Sequence, residues 1–186
     1  MRPVIGERDV SIKELFECFV PDFESGALIW GIRPEGHFQS DLARHVYESQ
    51  HFGTIAGSPD AHGHIRVRIS IRGRTGTFFV HRVIWAMHYG AWPEDQIDHR
   101  NTIKADNRIN NLRLATNAQN MANRGLQKNN KSGAKGVHFN KNAGRYQAYI
   151  KHLGKRYHLG YFDTVEAASA AHQKAAKQMF GEFAHP

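Results

Sequence analysis

Apolar residues at helical spacing near the start of the chain predict a short helix over residues 11 to 19. Ser11 is its candidate cap, and Glu14 stands at the capping-box position three residues later. Residues 24 to 30 predict a glycine-containing turn that leads into a strand. Residues 31 to 63 are rich in Gly, His and Ser and show no firm period, so we expect mostly loop there.

A strict alternation of apolar and polar residues then predicts a half-buried strand. One face carries four aliphatic residues, Ile65, Val67, Ile69 and Ile71. The opposite face carries three guanidinium groups, those of Arg66, Arg68 and Arg72. That face is either a solvated sheet surface, the commoner outcome, or a ribbon laid on DNA phosphates. A turn over 73 to 76, a strand over 77 to 80, and a helix with a buried stripe should follow.

The pattern restarts in the last third of the chain. Residues 124 to 132 contain almost no apolar residues and predict a linker. Beyond it we expect three short strands, over residues 135 to 140, 145 to 151 and 156 to 162. Residues 164 to about 180 predict a helix with an alanine-rich apolar stripe. The chain is therefore expected to be of the α+β class, with two domains.

Charge is distributed unevenly along the 186 residues, whose formal net charge is +8. Residues 1 to 123 contain 14 Lys and Arg against 14 Asp and Glu, whereas residues 124 to 186 contain 11 against 3. A region this basic fits a polyanion, nucleic acid before membrane, or equally a solubility surface. The single cysteine, Cys18, and the absence of a membrane-spanning run or signal pattern favour a reducing, cytoplasmic setting.

Six asparagines follow the adjacent pair Asp98 and His99 within residues 97 to 120. Residues 97 to 99 predict a strand and residues 111 to 115 its return strand. Thr116 opens a capping-box pattern, so a helix should begin there. A strand, a loop, a strand and a helix in about 30 residues form a compact motif that can present a site. Four polar side chains could converge in it, those of Asp98, His99, Asn111 and Asn120.

These four side chains suit the hydrolysis of a phosphodiester bond. Asp98 and Asn120 offer hard oxygen ligands, which suit Mg²⁺ or Mn²⁺ better than zinc. His99 can take a proton from water near neutral pH when another group fixes its ring. Asn111 can hold the loop and orient that ring. Asn101, Asn107 and Asn110 are expected to serve turns, where their side chains cap local backbone. The competing interpretation is a surface Asp-His pair followed by an ordinary asparagine-rich loop.

At this spacing the residues resemble the HNH nuclease family, in the branch whose last motif position is asparagine. The motif letters fall on His99, Asn111 and Asn120, and Asp98 is the preceding acid. The stretches HRVIWAMHYG, WPEDQIDH and DNRINNLRLAT also look like the homing-type members found in phages. The resemblance covers roughly residues 11 to 123. It implies a ββα-metal fold, one divalent ion held by the acid and the last asparagine, a histidine general base, and an orienting middle asparagine.

The strands of the basic third offer a polar face that can enter a DNA major groove, where cations meet phosphates and amides reach base edges. Its residues would be Arg145, Gln147, Tyr149 and Lys151 on the middle strand, continued by His138, Asn140, Arg156 and His158 on its neighbours. The alternative is an ordinary solvated sheet face.

The motifs KGV and HLGYFDT, with the alanine-rich helix, resemble the ethylene-response-factor (Apetala-type) DNA-binding domain over about residues 132 to 184. That family reads DNA with its three-stranded sheet, so the resemblance implies contacts from Lys135 as well as from most of the polar face. His138, Asn140 and His158 stand where plant members typically have arginines and tryptophan, so no sequence preference is carried over. The same pairing of modules recurs in phage homing-type nucleases.

Together the patterns and resemblances predict an HNH nuclease domain over residues 1 to 123, with its ββα-metal motif at about 97 to 123. A linker over 124 to 132 and a DNA-binding domain over 133 to 186 should follow. The predicted function is a homing-type endonuclease that acts as a monomer on double-stranded DNA with Mg²⁺ or Mn²⁺, in a bacterial cytoplasm if phage-encoded. A non-catalytic DNA-binding regulator and, more weakly, an RNA-directed protein are the alternatives.

Overall fold

The computed structural model describes residues 4–127 and 129–185, so residue 128 of the expected linker lies outside the described residues. The chain divides into two compact units, Met1–Leu114 and Ala115–Pro186. Within the described ranges, every helix is too short or too polar to cross a lipid bilayer.

The first unit contains a hairpin, a three-stranded sheet and a two-stranded sheet. Its helices are α1 (Ile12–Cys18), α2 (Asp41–Gln50) and α3 (Val80–Tyr89). Its strands are β1 (Phe19–Asp22), β2 (Ala27–Trp30), β3 (Ser58–Pro59), β4 (Ile65–Ile71), β5 (Arg74–Phe79), β6 (Gln96–His99) and β7 (Leu112–Ala115). The pair β1 and β2 and the sheet of β3, β4 and β5 are antiparallel. Strands β6 and β7 form the two-stranded sheet.

Local signals explain most of these elements. Helix α1 begins with the expected capping box, in which the Ser11 hydroxyl accepts from Glu14 N over 3.2 Å. Strand β4 has the expected alternation, with buried aliphatic residues on one face and exposed arginines on the other. The buried face packs with α1 and α3 into a single core that also takes in Ile97 and Leu112. This core therefore anchors β6 and β7, the strands of the candidate site.

Two sequence expectations for the first unit are wrong. The expected loop over residues 31 to 63 contains α2, whose cap Ser40 accepts from Ala43 N over 3.2 Å. The helix carries an apolar stripe of Leu42, Ala43, Val46 and Tyr47 at helical spacing, which the expectation of a loop overlooked, and of these four only Tyr47 is buried. The turn expected over 73 to 76 is also shorter, because Ile71 already pairs with Arg74 and residue 76 lies inside β5.

The second unit is a three-stranded antiparallel sheet covered by one long helix, as the sequence predicted. Its elements are α4 (Asn117–Asn123), β8 (Val137–Asn140), β9 (Arg145–His152), β10 (Lys155–Phe162) and α5 (Val165–Phe180). The strand order is β10, β9, β8. The alanine stripe of α5 packs against the apolar face of the sheet, where Ala148 and Ile150 are buried.

Helix α4 belongs to this second unit. Its Ala118 and Ala122 pack against a cluster that includes Ile150, Phe180 and Phe183. The division between the compact units therefore falls before α4, whereas the sequence placed the domain boundary after it. The reason is that the apolar side of this short helix is covered by residues from far along the chain. The assignment of the two domains to families remains a prediction.

We expect Gly136→Ala to destabilise the second unit strongly. Gly136 has a φ of +67°, and a Cβ there would lie 2.1 Å from the His172 ring and 2.5 Å from the Tyr149 carbonyl oxygen. The matched control is Gly133→Ala, where φ is +73° but the space is open. Backbone strain should lower the free energy of unfolding by about 1 kcal/mol in the control. Crowding should add about 2 kcal/mol at Gly136.

Amide hydrogen exchange of α5 measures the stability of the second unit in both variants. Equal exchange in the two variants would contradict the close packing of the Gly136 backbone against α5.

Candidate functional site

The candidate site of the first unit lies where strand β6 ends. Asp98 and His99, its last two residues, are 4% and 5% exposed. Arg100 N, immediately after them, donates to the carbonyl oxygen of Asn111 over 2.8 Å and joins this end of β6 to the start of β7. The loop between residues 100 and 111 is thereby closed on itself. The sequence expectation of two strands around an asparagine-rich loop is confirmed.

The carboxylate of Asp98 forms a buried ion pair with Arg113 of β7. Arg113 Nε donates to Asp98 Oδ2 over 2.8 Å, and the two side chains are 7% and 5% exposed. A buried carboxylate stays ionised when a guanidinium and hydrogen bonds compensate for its lost hydration. The sequence analysis did not single out Arg113. The available signal was its position on the return strand, between two leucines whose side chains alternate with its own.

The ring of His99 is fixed by Asn107, which the sequence analysis assigned to a turn. His99 Nε2 lies 3.2 Å from Asn107 Oδ1, and Asn107 is 2% exposed. An amide oxygen only accepts, so in the tautomer that donates to Asn107 the proton lies on Nε2 and Nδ1 is the basic nitrogen of neutral His99. Burial is the main cause that lowers the pKa of His99, opposed by the bond to Asn107 and the charge of Asp98.

The N-terminal hairpin supports Asn107 from behind. A Cβ on Gly26, in the turn between β1 and β2, would lie 2.4 Å from the backbone of Asn107 and Arg108. Ile109 N also donates to the Phe23 carbonyl oxygen over 3.1 Å. The hairpin backbone thus packs directly against the loop that holds His99. No local sequence pattern reveals such a contact between segments about 80 residues apart.

Asn111 holds the same loop through its amide. Its Nδ2 donates to the Asp106 carbonyl oxygen over 2.7 Å and to Asn101 Oδ1 over 3.0 Å, and its Oδ1 accepts from Asn101 N over 3.1 Å. Asn101 in turn accepts from Ile103 N over 2.9 Å, as expected for a turn asparagine. The contacts of Asn111 that hold the loop are thus present. The bond that orients the His99 ring comes from Asn107.

Three imidazoles lie together beside this loop. The ring of His81 on α3 is 5.0 Å from that of His99, and the ring of His64 is 5.8 Å from His99 and 5.4 Å from His81. His81 is buried, and burial followed by the charges of the other two lowers its pKa to about 2. Burial also lowers the pKa of His64. The cluster is therefore neutral near pH 7, and it was not foreseen because His64 is distant in the sequence.

Asn120 lies on α4, in the second unit, where it is half-buried. Helix α4 begins with the expected capping box, in which Thr116 N donates to Gln119 Oε1 over 2.8 Å and Gln119 N to the Thr116 hydroxyl over 3.3 Å. This cap brings Asn120 into the first turn of α4, as predicted. Of the predicted site residues, Asp98, His99 and Asn111 lie in the first unit, where the end of β6 meets the start of β7.

The polar sheet face expected to meet DNA is present in the second unit. Its residues form cross-strand pairs, Asn140 with Arg145, His138 with Gln147, Tyr149 with His158, and Lys151 with Arg156. The Arg156 guanidinium lies 3.9 Å from the centre of the Tyr149 ring. Such stacking pre-orders a cation that can contact a phosphate or a base.

The other predicted contacts lie elsewhere. Lys135 precedes β8, and its ammonium donates to the carbonyl oxygens of Ala122 and Arg124. In the first unit, Arg66 and Arg68 share the exposed face of β4, and Arg72 lies in the turn after it. Arg66 also contacts Asp60 over 3.2 Å and stacks on Phe79.

The donor chemistry of the site fits a hard cation. Among residues 4–127 and 129–185, no cluster of three or more His, Cys, Asp and Glu side chains has an arrangement that could hold a metal. One buried carboxylate, supplemented by amide oxygen, is a small donor set. It suits Mg²⁺, which keeps several waters and binds through one or two carboxylates plus a phosphate.

Comparison with known proteins defines the class to which this part of the chain is similar. Residues 78–122, from the end of β5 to α4, match the family model described as HNH endonuclease. The matched segment includes Asp98, His99, Asn107 and Asn111 of the first unit and Asn120 of the second. The HNH resemblance noted from the motifs is confirmed for this segment.

Two individual proteins are also similar. A protein of Acanthamoeba polyphaga mimivirus described as an uncharacterized HNH endonuclease is 33% identical over 113 residues, which is 60% of this chain and 58% of the relative. The chain thus matches little more than half the length of that relative. The other is a solved structure described as DNA binding and cleavage by the HNH homing endonuclease I-HmuI. The match covers 92% of this chain and 82% of that chain, with 18% identity and a TM-score of 0.44.

We expect His81→Phe to reduce the acid sensitivity of the first unit. Unfolded His81 titrates near 6.5 and folded His81 near 2, so the unfolded state binds more protons between these values. The free energy of unfolding of the wild type therefore falls as the pH is lowered through 6.5. Phenylalanine keeps the ring against Phe79 and removes this contribution, about 2 kcal/mol between pH 7.5 and 5.

Urea unfolding followed by tryptophan fluorescence measures the effect, because all three tryptophans lie in the first unit. The same variant at pH 8 is the control, where imidazole is neutral in both states. A pH dependence identical to that of the wild type would show that His81 titrates normally in the folded chain.

Proposed function

We propose that this chain is a site-directed DNA endonuclease of the homing type, which hydrolyses phosphodiester bonds with one divalent metal ion. The observation that carries the proposal is the buried, neutral His99, oriented by Asn107 beside the buried carboxylate of Asp98. It occurs within the segment that matches the HNH endonuclease model. The homing type and a phage origin belong to the proposal and rest on the resemblance of the quoted motifs.

His99 acts as the general base. Asn107 holds the proton of the ring on Nε2, so Nδ1 accepts the proton of the attacking water. The water oxygen forms the new bond to phosphorus, and the bond from phosphorus to the departing sugar oxygen breaks. The lowered pKa keeps His99 unprotonated near neutral pH, so the base is ready before the substrate arrives.

Asp98 and Asn120 would hold the metal ion, Mg²⁺ or Mn²⁺, through their side-chain oxygens. When bound, the ion polarises the phosphate and stabilises the charge on the departing oxygen. Arg113 fixes the Asp98 carboxylate through the buried ion pair. Asn111 keeps the loop closed around Asn101 and Asp106.

The sheet of the second unit recognises the target site on double-stranded DNA. Its cross-strand pairs present cations, amides and an aromatic ring on one face, in the region that carries the whole excess positive charge. Arg66, Arg68 and Arg72 of the first unit contact phosphates near the cut. One candidate site within the described part of each chain fits nicking by a monomer. The ethylene-response-factor assignment remains part of this proposal.

The first test is cleavage of supercoiled DNA by the wild type and by His99→Ala, with Mg²⁺, Mn²⁺ or EDTA. We expect the wild type to nick or linearise DNA only with a divalent ion. His99→Ala should bind DNA with wild-type affinity and cut more than about 100-fold more slowly, the contribution of a general base.

Equal cutting by His99→Ala would remove His99 as the base. Salt-sensitive binding without cleavage of any DNA under any divalent ion would favour the non-catalytic regulator. Preference for structured RNA over duplex DNA in competition would favour the RNA-directed alternative.

Asn107→Ala tests the orienting bond. We expect the cleavage rate at saturating Mg²⁺ to fall about 10- to 100-fold, the range for loss of an outer partner in a metal site, because the ring loses its fixed tautomer and direction. The matched control is Asn110→Ala, three residues away in the same loop and exposed. Both should bind DNA equally well. Similar rates for the two variants would show that Asn107 is an ordinary loop residue.

A further inference from the structure

Lys135 makes contacts that a DNA-facing lysine would not make. Its Nζ donates to the Arg124 carbonyl oxygen over 2.6 Å and also to the Ala122 carbonyl oxygen. Both carbonyls lie at the C-terminal end of α4, where a helix leaves backbone oxygens without intrahelical donors. A cation at this end satisfies these oxygens and complements the helix dipole. Lys135 therefore caps α4 from a distance of 11 residues along the chain.

The backbone that carries Lys135 is rigidly placed. Gly136, the next residue, approaches the His172 ring and the Tyr149 carbonyl so closely that no side chain fits between them. Tyr149 N also donates to the Gly136 carbonyl oxygen over 2.9 Å. Lys135 is half-buried, and this burial lowers the pKa of its ammonium. Hydrogen bonds in such surroundings are stronger than on an open surface.

Helix α4 depends on such support. It has seven residues, and isolated helices of that length are not stable in water. On its apolar side Ala118 and Ala122 pack against the cluster of the second unit, and alanine side chains contribute little buried area. The capping box at Thr116 fixes the first turn, and Lys135 fixes the last. Asn120 lies between these two anchors.

We infer that Lys135 is a positioning residue of the nuclease, which fixes α4, and through it Asn120, for the metal ion. The inference rests on the proposed function. It replaces the DNA contact that the sequence resemblance implied for Lys135.

Three full-length variants test this role. Lys135→Met keeps the length of the side chain and removes its donors, whereas Lys135→Arg keeps donors in place. The matched control is Lys151→Met, which removes a cation from the polar sheet face. Three quantities are measured, namely amide exchange of α4, the affinity for Mn²⁺ by calorimetry without DNA, and the affinity for duplex DNA in EDTA.

For Lys135→Met we expect α4 amides to exchange about tenfold faster and Mn²⁺ to bind about tenfold more weakly, the size expected for a lost charged hydrogen bond. Its DNA affinity should equal that of the wild type. Lys135→Arg should restore much of both losses. Lys151→Met should weaken DNA binding and leave α4 exchange and Mn²⁺ affinity unchanged.

Wild-type α4 exchange and Mn²⁺ affinity in Lys135→Met would overturn the inference. So would a loss of DNA affinity like that of Lys151→Met without a change in α4, because Lys135 would then be a DNA contact. Failure of the proposed function appears separately, in the wild type: it would bind no Mn²⁺ and cut no DNA, whatever the variants did to α4.

Discussion

The buried ion pair between Asp98 and Arg113 is the constraint on which the candidate site depends. An ionised carboxylate that is removed from water needs a fixed partner, and Arg113 supplies it across the two-stranded sheet of β6 and β7. The sheet can bring them together because Ile97 and Leu112, their neighbours, are held in the core of the first unit. Apolar packing on one face of each strand therefore places two opposite charges on the other.

This placement determines the chemistry of the next residue, His99. Burial lowers the pKa of its ring, and the Asn107 amide oxygen can accept from the tautomer in which Nδ1 is basic. The amide is held in turn by a loop that the Asn111 side chain closes and the N-terminal hairpin supports. The placement of His99 thus requires residues from the hairpin, the loop and both strands. The recognisable motif covers a far shorter stretch of the chain.

The sequence predicted those features that depend on neighbouring residues. Capping boxes revealed α1 and α4, and strict alternation revealed β4, because both signals lie within one turn or one strand. Features set by distant packing were missed or misassigned. Helix α2 was also missed, Asn107 was assigned to a turn, and Lys135 was assigned a DNA contact. For Asn107 and Lys135 the deciding contact lies 8 and 11 residues along the chain, which no local period records, whereas α2 was marked locally by its cap Ser40 and by its apolar stripe.

Chemical rescue of His99→Ala tests the central claim, that His99 is the general base of a metal-dependent nuclease. The variant leaves a space of the size of an imidazole ring beside Asn107 and His81. Cleavage of supercoiled DNA should be restored by added imidazole in proportion to its concentration, and only when Mg²⁺ or Mn²⁺ is present. The account would be contradicted if His99→Ala cut DNA as fast as the wild type in imidazole-free buffer. It would also be contradicted if neither protein cut DNA under any condition.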